Sequence, residues 1–424
     1  MNLRATVPAR PRRPRAAALA RAVFSTHLAL LTPSLPAAGS GFALPEQSAV
    51  ALGRAGAVTA SEDEPAAVWS NPATLAFAPS FGAALTGFFV AGQSRFSPTA
   101  GGPDTRSRPG AHAVPSVFAH ARVHPAVTVG LGAFVPFGFA VRWPEGWPGA
   151  QQTLESQLYA ATLAPVVAVR LTPTLAIAVG AGLTRGSVEY LSALPAEVGG
   201  KADLAGSAWG LTRGHLALFW RVVPERLHLG FTYHGPTKLD YSGDADFSPT
   251  NGAFFDLFVD QAVRAEVSLP ETVTVGGSFR LTPALQLFAD LGWTRWSRFG
   301  RLKLDFERGG TPDITLEQGT RNPLSVKTGV ELDLTPQIAL RAGASFDDTA
   351  SEPERLSPFA PDARRLGLGL GAGYRWGRVR LDAGYFFAFF FAARANSPRT
   401  DAQAPPKGTY RTRVHVLGLG LSVF

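Results

Sequence analysis

Apolar and polar residues alternate along short segments of this chain, from about residue 80 to its end. In residues 226–234 the odd-numbered positions are apolar from Leu227 onward, while the even-numbered positions are polar residues or Gly. The same pattern recurs from Leu285, with Asp290 on the polar face, and from Ile338, with Arg341 on the polar face. A period of two predicts β-strands with one apolar face and one polar face.

Short polar breaks separate these segments at regular intervals. They occur at His124-Pro125, Thr172-Pro173, Pro224-Glu225, Thr282-Pro283, Thr335-Pro336 and Trp376-Gly377. Between the breaks lie excursions of about 40 to 55 residues, each with an irregular stretch near its middle. Six short turns predict seven hairpins after residue 80 and therefore 14 strands, an even number as in bacterial outer-membrane barrels.

The apolar segments are too short to be membrane-spanning helices. A spanning helix needs roughly 20 consecutive apolar residues, and the longest runs here are broken by Arg, Pro, Thr or Gly. Only helices and closed barrels satisfy every backbone group inside a bilayer. The pattern therefore predicts an all-β membrane protein, with a soluble β-sandwich as the alternative.

The last strand leaves its two faces undecided. Stepping back by two from Phe424 gives Ser422, Gly420, Gly418 and Val416, whereas Leu417, Leu419 and Leu421 have the other parity.

The first 39 residues differ in character from the rest. They contain six arginines and no acidic residue, followed by an apolar stretch at residues 22–31 and the small residues Ala37, Ala38 and Gly39. This order predicts a secretory signal peptide over residues 1–39, with a disordered basic tail as the alternative. Its removal leaves a net charge of +2 from the +8 of the whole chain, so we expect no nucleic-acid partner.

Several classes of chemistry are disfavoured. The chain has no cysteine, which excludes disulfides, thiolate nucleophiles and cysteine metal sites. With eight histidines and no Gly-x-Ser-x-Gly elbow, an outer-membrane hydrolase is the weaker alternative. We expect a protein that is not an enzyme and has no cofactor or metal.

Motifs ahead of the first strand and along the barrel carry a family resemblance. They include Gly41-Phe42-Ala43-Leu44, Leu52-Gly53-Arg54-Ala55-Gly56, Trp69-Ser70-Asn71-Pro72-Ala73, Pro136-Phe137-Gly138, Trp147-Pro148-Gly149, Leu269-Pro270-Glu271, Trp293-Thr294-Arg295-Trp296 and Leu340-Arg341-Ala342-Gly343. In this order they resemble the FadL family of outer-membrane transporters for long-chain fatty acids and other hydrophobic compounds.

The resemblance implies an antiparallel 14-stranded barrel over residues 80–424, with its lumen plugged by an N-terminal hatch over residues 40–79. It also implies uptake of a fatty acid or other hydrophobic compound across the Gram-negative outer membrane. The ligand would be captured at external loops, held in an internal pocket and released sideways through a kink in the third strand. Uptake of uncharged or aromatic hydrocarbons is the alternative, and a general diffusion porin is a further one.

The kink is expected at Pro136-Phe137-Gly138. Pro136 cannot donate a ladder hydrogen bond and Gly138 tolerates unusual dihedral angles, so strand pairing should fail there. The other interpretation is that Pro136 only ends a strand at the extracellular rim. Asn71, Pro72 and Ala73 are expected in the hatch near this gate.

Two ligand-binding regions are predicted. Residues 243–269 carry an apolar cluster that predicts an outer groove, or else a loop packed into the barrel mouth; its members are Phe247, Phe254, Phe255, Leu257 and Phe258. In the inner pocket, Arg185 or Arg321 would bind a carboxylate head group, Tyr190 replaces a basic residue of the family, and Phe42 would gate or anchor the hatch. Each arginine has the alternative of pairing with Asp290 or Asp347.

Other expected partners follow from the class of protein. They are outer-membrane lipid and lipopolysaccharide, and the barrel-assembly machinery, which would recognise the C-terminal strand. The resemblance suggests a monomer.

Overall fold

The structure is a computed structural model that describes residues 41–62, 64–256, 258–307, 314–317, 319–398 and 405–424. The predicted signal peptide and Leu257 lie outside these residues. No helix within the described ranges is long and apolar enough to cross a membrane.

The described chain forms a closed antiparallel β-barrel of 14 strands, as predicted. In chain order the strands are β1 Phe81–Pro98, β2 Gly110–His124, β3 Val127–Arg142, β4 Glu155–Arg170, β5 Leu175–Ala193, β6 Gly200–Val223, β7 Leu227–His234 and Thr237–Pro249, β8 Gln261–Leu269 and Thr272–Thr282, β9 Leu285–Thr294 and Arg301–Phe306, β10 Ile314–Glu317 and Leu324–Asp333, β11 Ile338–Asp347, β12 Arg365–Trp376, β13 Val379–Phe390, and β14 Gly408–Val423. Two short segments, Thr105–Arg106 and Ala393–Ala395, extend the sheet at its rim.

Closure occurs between the first and last strands. They pair without interruption from Ala83 opposite Val423 to Pro98 opposite Gly408. Each of the six predicted turns joins two consecutive strands, for example residues 125–126 between β2 and β3 and residues 377–378 between β12 and β13. A closed ring removes the unpaired edges that a bilayer does not tolerate.

The predicted alternation of faces holds along the strands. Leu229 and Leu340 are 40% and 41% exposed on the outer surface, while the intervening polar side chains His228 and Arg341 are buried inside. In the last strand, Leu417, Leu419 and Leu421 face outward, and Gly418 and Gly420 face the lumen.

Residues 41–62 and 64–79 pack inside the ring of strands, and we name them the plug segment. This segment contains helix α1 Ala49–Gly53, helix α2 Ala67–Ser70 and a 3₁₀ turn, Pro72–Ala76. The Ser48 side chain caps α1 by accepting from the Ala51 N–H at 3.0 Å. In isolation helices this short are unstable, so their packing against the barrel maintains them.

Both polar and apolar contacts attach the segment to the wall. Asp290 accepts hydrogen bonds from the N–H groups of Val58 and Thr59 at 3.0 and 2.9 Å. Arg54 forms an ion pair of 2.7 Å with Glu331. The wall approaches so closely that a Cβ on Gly343 would lie 2.3 Å from the Arg54 carbonyl carbon. Glycine is therefore required at that position for the observed packing.

Candidate functional site

Strand β3 departs from regular pairing near its centre. Phe134 lies opposite Thr162 of β4 and Phe137 lies opposite Ala160, so three steps along β3 correspond to two along β4. This is a β-bulge, which bends a strand and increases its local twist. Pro136 lies within it and has no N–H to donate. The predicted break at Pro136 is therefore in the body of the strand and not at its rim.

The wall between β2 and β3 is unpaired above this bulge. Their register ends at Val117 opposite Ala133, although β2 continues to Gly110 paired with β1 on its other side. At the upper end the Arg108 N–H donates to the Arg142 carbonyl at 2.7 Å. These two contacts bound an interruption in the β2–β3 ladder, which we name the side opening.

The N-terminal segment pairs with β3 instead. The Leu44 N–H donates to the Pro136 carbonyl at 2.8 Å, and the Gly138 N–H donates to the Phe42 carbonyl at 3.1 Å. Ala43 and Phe137 form an antiparallel bridge between these bonds. Backbone groups that β2 leaves unpaired are thus satisfied from inside the barrel, as burial requires.

Gln47 connects the two strands at the lower end of the side opening. Its side-chain amide donates to the Val135 carbonyl at 2.8 Å, and its amide oxygen accepts from the Ser116 hydroxyl at 2.9 Å. The residue is 3% exposed. One side chain of the plug segment therefore spans β2 and β3 where their own ladder stops.

A cavity of about 770 Å³ lies behind the side opening. This volume is within the usual range for small-molecule sites. Its walls come from the plug segment, strands β1, β2, β3, β4, β13 and β14, and the loops above them. The apolar lining includes Phe42, Leu44, Val90, Val114, Val135, Phe139, Tyr159, Trp296, Phe299, Phe359, Phe386, Phe390 and Val416.

Phe42 is at the centre of an aromatic cluster on one wall of the cavity. Its ring centroid is 4.6 Å from that of Trp296, 5.1 Å from Phe139 and 5.1 Å from Phe299. Gly41 has φ of +51° and its Cβ position would lie 2.6 Å from the Trp296 ring. Only glycine fits this turn against the indole without strain, so the sequence at Gly41 allows Phe42 to reach the cluster.

Charged groups in the lining differ in their surroundings. Arg365 is paired with Asp347 at 3.0 Å. Arg108, at the upper end of the side opening, is exposed, and no ion-pair partner of its side chain occurs in the described ranges. Asp362, in the loop after β11, accepts from the Thr349 hydroxyl and from the Ala350 and Ser351 N–H groups. Burial raises the pKa of Asp362, and these bonds oppose the shift.

The arginines predicted to bind a head group do not line this cavity. Arg185 is exposed on the same face of β5 as Ile177 and Val179, which face outward, and its guanidinium lies 5.3 Å from the centre of the Trp209 ring. Its parity therefore places it on the outer surface. Arg321 is exposed beyond the barrel strands, with its N–H bonded to Ala350. Among the described residues, the arginines that line the cavity are Arg108, Arg142, Arg355 and Arg365.

Tyr190 faces inward but stands behind the cavity wall. Its hydroxyl donates to the Gln152 carbonyl, and its ring lies 5.7 Å from Phe359, which does line the cavity. The predicted conformational freedom of Gly138 is not used, because its φ is not positive. A Cβ there would make ordinary contacts of 3.5 Å or more.

The Asn-Pro-Ala triplet lies in the plug segment. Asn71 is fully buried; its side chain donates to the Thr59 and Leu218 carbonyls and accepts from the Ala73 N–H. Pro72 and Ala73 begin the 3₁₀ turn that Asn71 caps. The Asn71 side chain thus joins the plug segment to β6.

Part of the predicted outer groove forms a separate apolar cluster at the extracellular end. Phe247 and Phe258 lie 5.6 Å apart and pack with Leu194, Val198 and Ala202. Phe255 is 54% exposed. The Phe254 backbone belongs to a short 3₁₀ turn. None of these residues lines the inner cavity.

Sequence reasoning did not identify several residues of the site. Gln47, Trp296 and Phe359 are distant from β3 in the chain, and only closure of the barrel brings them together. Trp296 belongs to a motif that carries the family resemblance. The sequence signal that could have identified it as a site residue is the second aromatic residue of the same short turn, Phe299.

Known proteins resemble the chain along most of its length. Residues 29–423 match the family model described as outer membrane protein transport protein (OMPP1/FadL/TodX). An outer-membrane protein of Neisseria meningitidis serogroup B is 25% identical over 246 residues, 52% of each chain. The matched region thus spans about half the length of that relative. The 47 kDa outer membrane protein of Pasteurella multocida is 25% identical over 381 residues, 82% of this chain and 87% of the relative.

Solved structures share the fold. A FadL homologue from Pseudomonas aeruginosa superposes with a TM-score of 0.83 at 20% identity, covering 91% of this chain and 99% of that one. The Pseudomonas putida toluene transporter TodX superposes with a TM-score of 0.72 at 19% identity, covering 89% and 98%.

Proposed function

The chain belongs to the outer-membrane transport family that includes FadL and TodX, and on that premise we propose that it takes up a hydrophobic small molecule through the cavity and releases it sideways through the side opening. As a member of this family it is an outer-membrane transport protein for hydrophobic compounds and not an enzyme. The lateral route and the nature of the substrate are what we propose.

One observation carries the proposal: an apolar cavity lies directly behind an unpaired stretch of the wall. Val114 and Val135 line the cavity on the two strands that fail to pair there. Elsewhere the described ladder is continuous around the ring, apart from local bulges and short breaks. Unpaired backbone groups that face lipid cost free energy. A lateral route for the substrate would explain why the wall keeps this interruption.

Lateral release suits hydrophobic cargo for an energetic reason. Each methylene released into water costs roughly 0.8 kcal/mol. A long acyl chain that moves from the cavity directly into the bilayer avoids this cost. The plug segment would block the alternative route along the barrel axis.

Long-chain fatty acids are the proposed substrates, with uncharged or aromatic hydrocarbons as the alternative class. Arg108 supports an acidic head group, because it is an exposed cation at the rim of the cavity and guanidinium groups bind carboxylates well. Arg365 supports it less, since Asp347 already compensates its charge. The outer cluster around Phe247 and Phe258 is our proposed site of first capture.

Blocking the side opening tests the route. Val114 is 8% exposed and lines the cavity, whereas Val117, on the same strand, is 49% exposed on the outer face. We expect Val114→Trp to lower the uptake of radiolabelled hexadecanoic acid by cells at least about tenfold, and Val117→Trp to leave it unchanged. Heat-modifiable migration in gels would establish that both variants fold. Normal uptake by folded Val114→Trp would exclude the side opening as the route.

Ligand competition tests the substrate class. Mass spectrometry of lipophilic compounds retained by the purified protein would identify the bound class. Displacement of a fluorescent fatty acid by hexadecanoic acid, hexadecane and toluene would then rank the candidates. We expect hexadecanoic acid to compete best and Arg108→Gln to weaken it selectively. Equal competition by hexadecane would favour uncharged hydrocarbons.

Three further predictions stay predictions: cleavage of residues 1–39, recognition of the C-terminal strand by the barrel-assembly machinery, and a monomeric state.

A further inference from the structure

A row of arginines crosses the outer surface where the barrel closes. Arg106, Arg95 and Arg411 lie directly opposite one another on three adjacent strand segments. Arg413 follows two residues along β14 and lies opposite Gln93. All four arginines are exposed. We name these residues, Arg95, Arg106, Arg411 and Arg413, the outer arginine patch.

The patch faces the membrane side of the wall and not the lumen. Successive side chains of a strand alternate between faces, and the odd-numbered residues Leu417, Leu419 and Leu421 of β14 are exposed outside. Arg411 and Arg413 share their parity. On β1 the odd-numbered Leu85 and Phe89 are each 54% exposed, and Arg95 shares theirs. The β1–β14 register has no shift that would reverse the faces.

Within the described ranges, acidic side chains balance the charges of the patch only in part. Asp104 pairs with Arg95 and also attracts Arg411. In the part of the chain that the structure describes, neither Arg106, Arg411 nor Arg413 has an ion-pair partner. Like charges directly opposite each other in a sheet are destabilising. The opposed arginines therefore lower the folding stability of the barrel, and binding of an external anion would restore it.

The level of the patch indicates which anion. Arg413 and Leu417 are four residues apart, which is roughly 13 Å along a strand. Over that distance the outer face changes from cationic to aliphatic. His415 lies between them, with its ring 4.9 Å from Phe387 and its Nδ1 2.7 Å from the Tyr385 hydroxyl. Aromatic and amphipathic side chains of this kind mark the boundary of the hydrocarbon layer. The patch therefore lies where lipid head groups begin.

We propose that the outer arginine patch binds the phosphate groups of an outer-leaflet glycolipid, the lipid A anchor of lipopolysaccharide. Guanidinium groups recognise phosphate through paired, charge-assisted hydrogen bonds. The acyl chains of the same lipid would lie along the strip of Leu417, Leu419 and Leu421 below. A free phosphate ion would use the arginines but not the strip, so the continuity of the two surfaces selects a lipid.

Binding of defined lipids to the full-length purified protein tests the proposal. The probes are bisphosphorylated lipid A, lipid A without phosphate, and inorganic phosphate, each measured by native mass spectrometry and by thermal stabilisation in detergent. The test variant is the double change Arg411→Gln with Arg413→Gln. The matched control is Arg213→Gln with Arg264→Gln, which removes two exposed arginines from β6 and β8.

We expect the test variant to bind bisphosphorylated lipid A at least about tenfold more weakly than the wild type, the effect of losing roughly one charge-assisted hydrogen bond. The control variant should bind like the wild type. Lipid A without phosphate should bind all three proteins alike. Because ligands that bind the folded state raise its melting temperature, only bisphosphorylated lipid A should stabilise the wild type more than the test variant.

Stability without lipid separates binding from a structural role. Removal of opposed like charges should leave the lipid-free melting temperature of the test variant equal to or above that of the wild type. If the test variant does not fold, Arg411→Lys with Arg413→Lys replaces it and should show an intermediate affinity. Equal lipid A affinity of the wild type and the folded variants would overturn the proposal. Stabilisation of the wild type by inorganic phosphate as strong as that by lipid A would also overturn it, in favour of a small-anion site.

Discussion

The Leu44 N–H donates a 2.8 Å hydrogen bond to the carbonyl of Pro136. This bond joins the plug segment to β3 in the stretch where β3 is not paired with β2. A proline in β3 interrupts the ladder, and a short stretch of the N-terminal segment takes the place of β2 beside it. The state of the side opening is therefore coupled to the position of residues 42–44.

Replacement of Gln47 by Ala should weaken the lower end of the side opening. The change removes the side-chain bonds to the Val135 and Leu44 carbonyls and from the Ser116 hydroxyl. We expect the free energy of unfolding to fall by roughly 1–3 kcal/mol and amide exchange to rise at Leu44 and Gly138. Gln93→Ala is the matched control, since Gln93 is exposed and its side-chain bond to the Ser107 carbonyl is 3.4 Å long. Equal losses in both variants would contradict the bridging role of Gln47.

Substitution of Gly138 should narrow the cavity without disrupting the barrel. A Cβ at this position would lie 3.5 Å from Leu44 and 3.6 Å from the Leu158 carbonyl, so Ala fits and the branched side chain of Val does not fit without displacing Leu44. We expect Gly138→Val to reduce hexadecanoic acid uptake several-fold and Gly138→Ala to preserve it. Unchanged uptake by folded Gly138→Val would show that the substrate does not pass this part of β3.

Much of the fold follows from local patterns in the sequence. Turns such as Thr172-Pro173 and Thr335-Pro336 predicted the strand number because they recur at hairpin spacing. Pro136 predicted the break in β3 because proline lacks an N–H. The parity of Arg185 was also readable, since it matches that of Ile177 and Val179, and it would have placed Arg185 on the outer surface instead of in the pocket. Trp209 provides the outer-surface contact that makes this position favourable.

The faces of the last strand and the members of the cavity depend on long-range packing. Gly418 faces the lumen because the plug approaches there, and a Cβ would lie 2.5 Å from a methyl group of Leu52. No local pattern encodes that distance. Trp296 meets Phe42 only because the barrel closes around the plug segment.

Loss of the Asp382 charge should strongly destabilise the barrel. Asp382 is 2% exposed at its side chain and accepts hydrogen bonds from Arg341 and Arg380, each at 2.7 Å. Asp382→Asn leaves two inward arginines without that anion. We expect the free energy of unfolding, measured in urea with the protein in lipid vesicles, to fall by about 3–5 kcal/mol.

The matched control for that change is Asp305→Asn. Asp305 pairs with Lys303 on the exposed end of β9, where its side chain is 47% exposed. An exposed pair contributes about 1 kcal/mol or less. A loss for Asp382→Asn as small as that for Asp305→Asn would mean that the buried arginines relax onto other acceptors.

Glu64 should make the stability of the protein depend on pH. Glu64 is 6% exposed within the plug segment, and burial raises its pKa above the usual 4.5, with Arg380 and a hydrogen bond with Ser48 opposing the shift. The folded state therefore holds the proton more tightly than the unfolded state. The favourable contribution is complete below about pH 4.5 and is lost as the pH rises through the folded-state pKa.

Glu64→Gln should accordingly match the wild type in acid and exceed its stability at pH 7. Glu62→Gln should be less stable than the wild type at pH 7, because Glu62 forms an ion pair of 2.6 Å with Arg221. Urea unfolding of both variants between pH 4 and 8 measures these differences in stability. If Glu64→Gln is less stable than the wild type at pH 7, the attraction of Glu64 to Arg380 and Arg54 outweighs the cost of burying its charge.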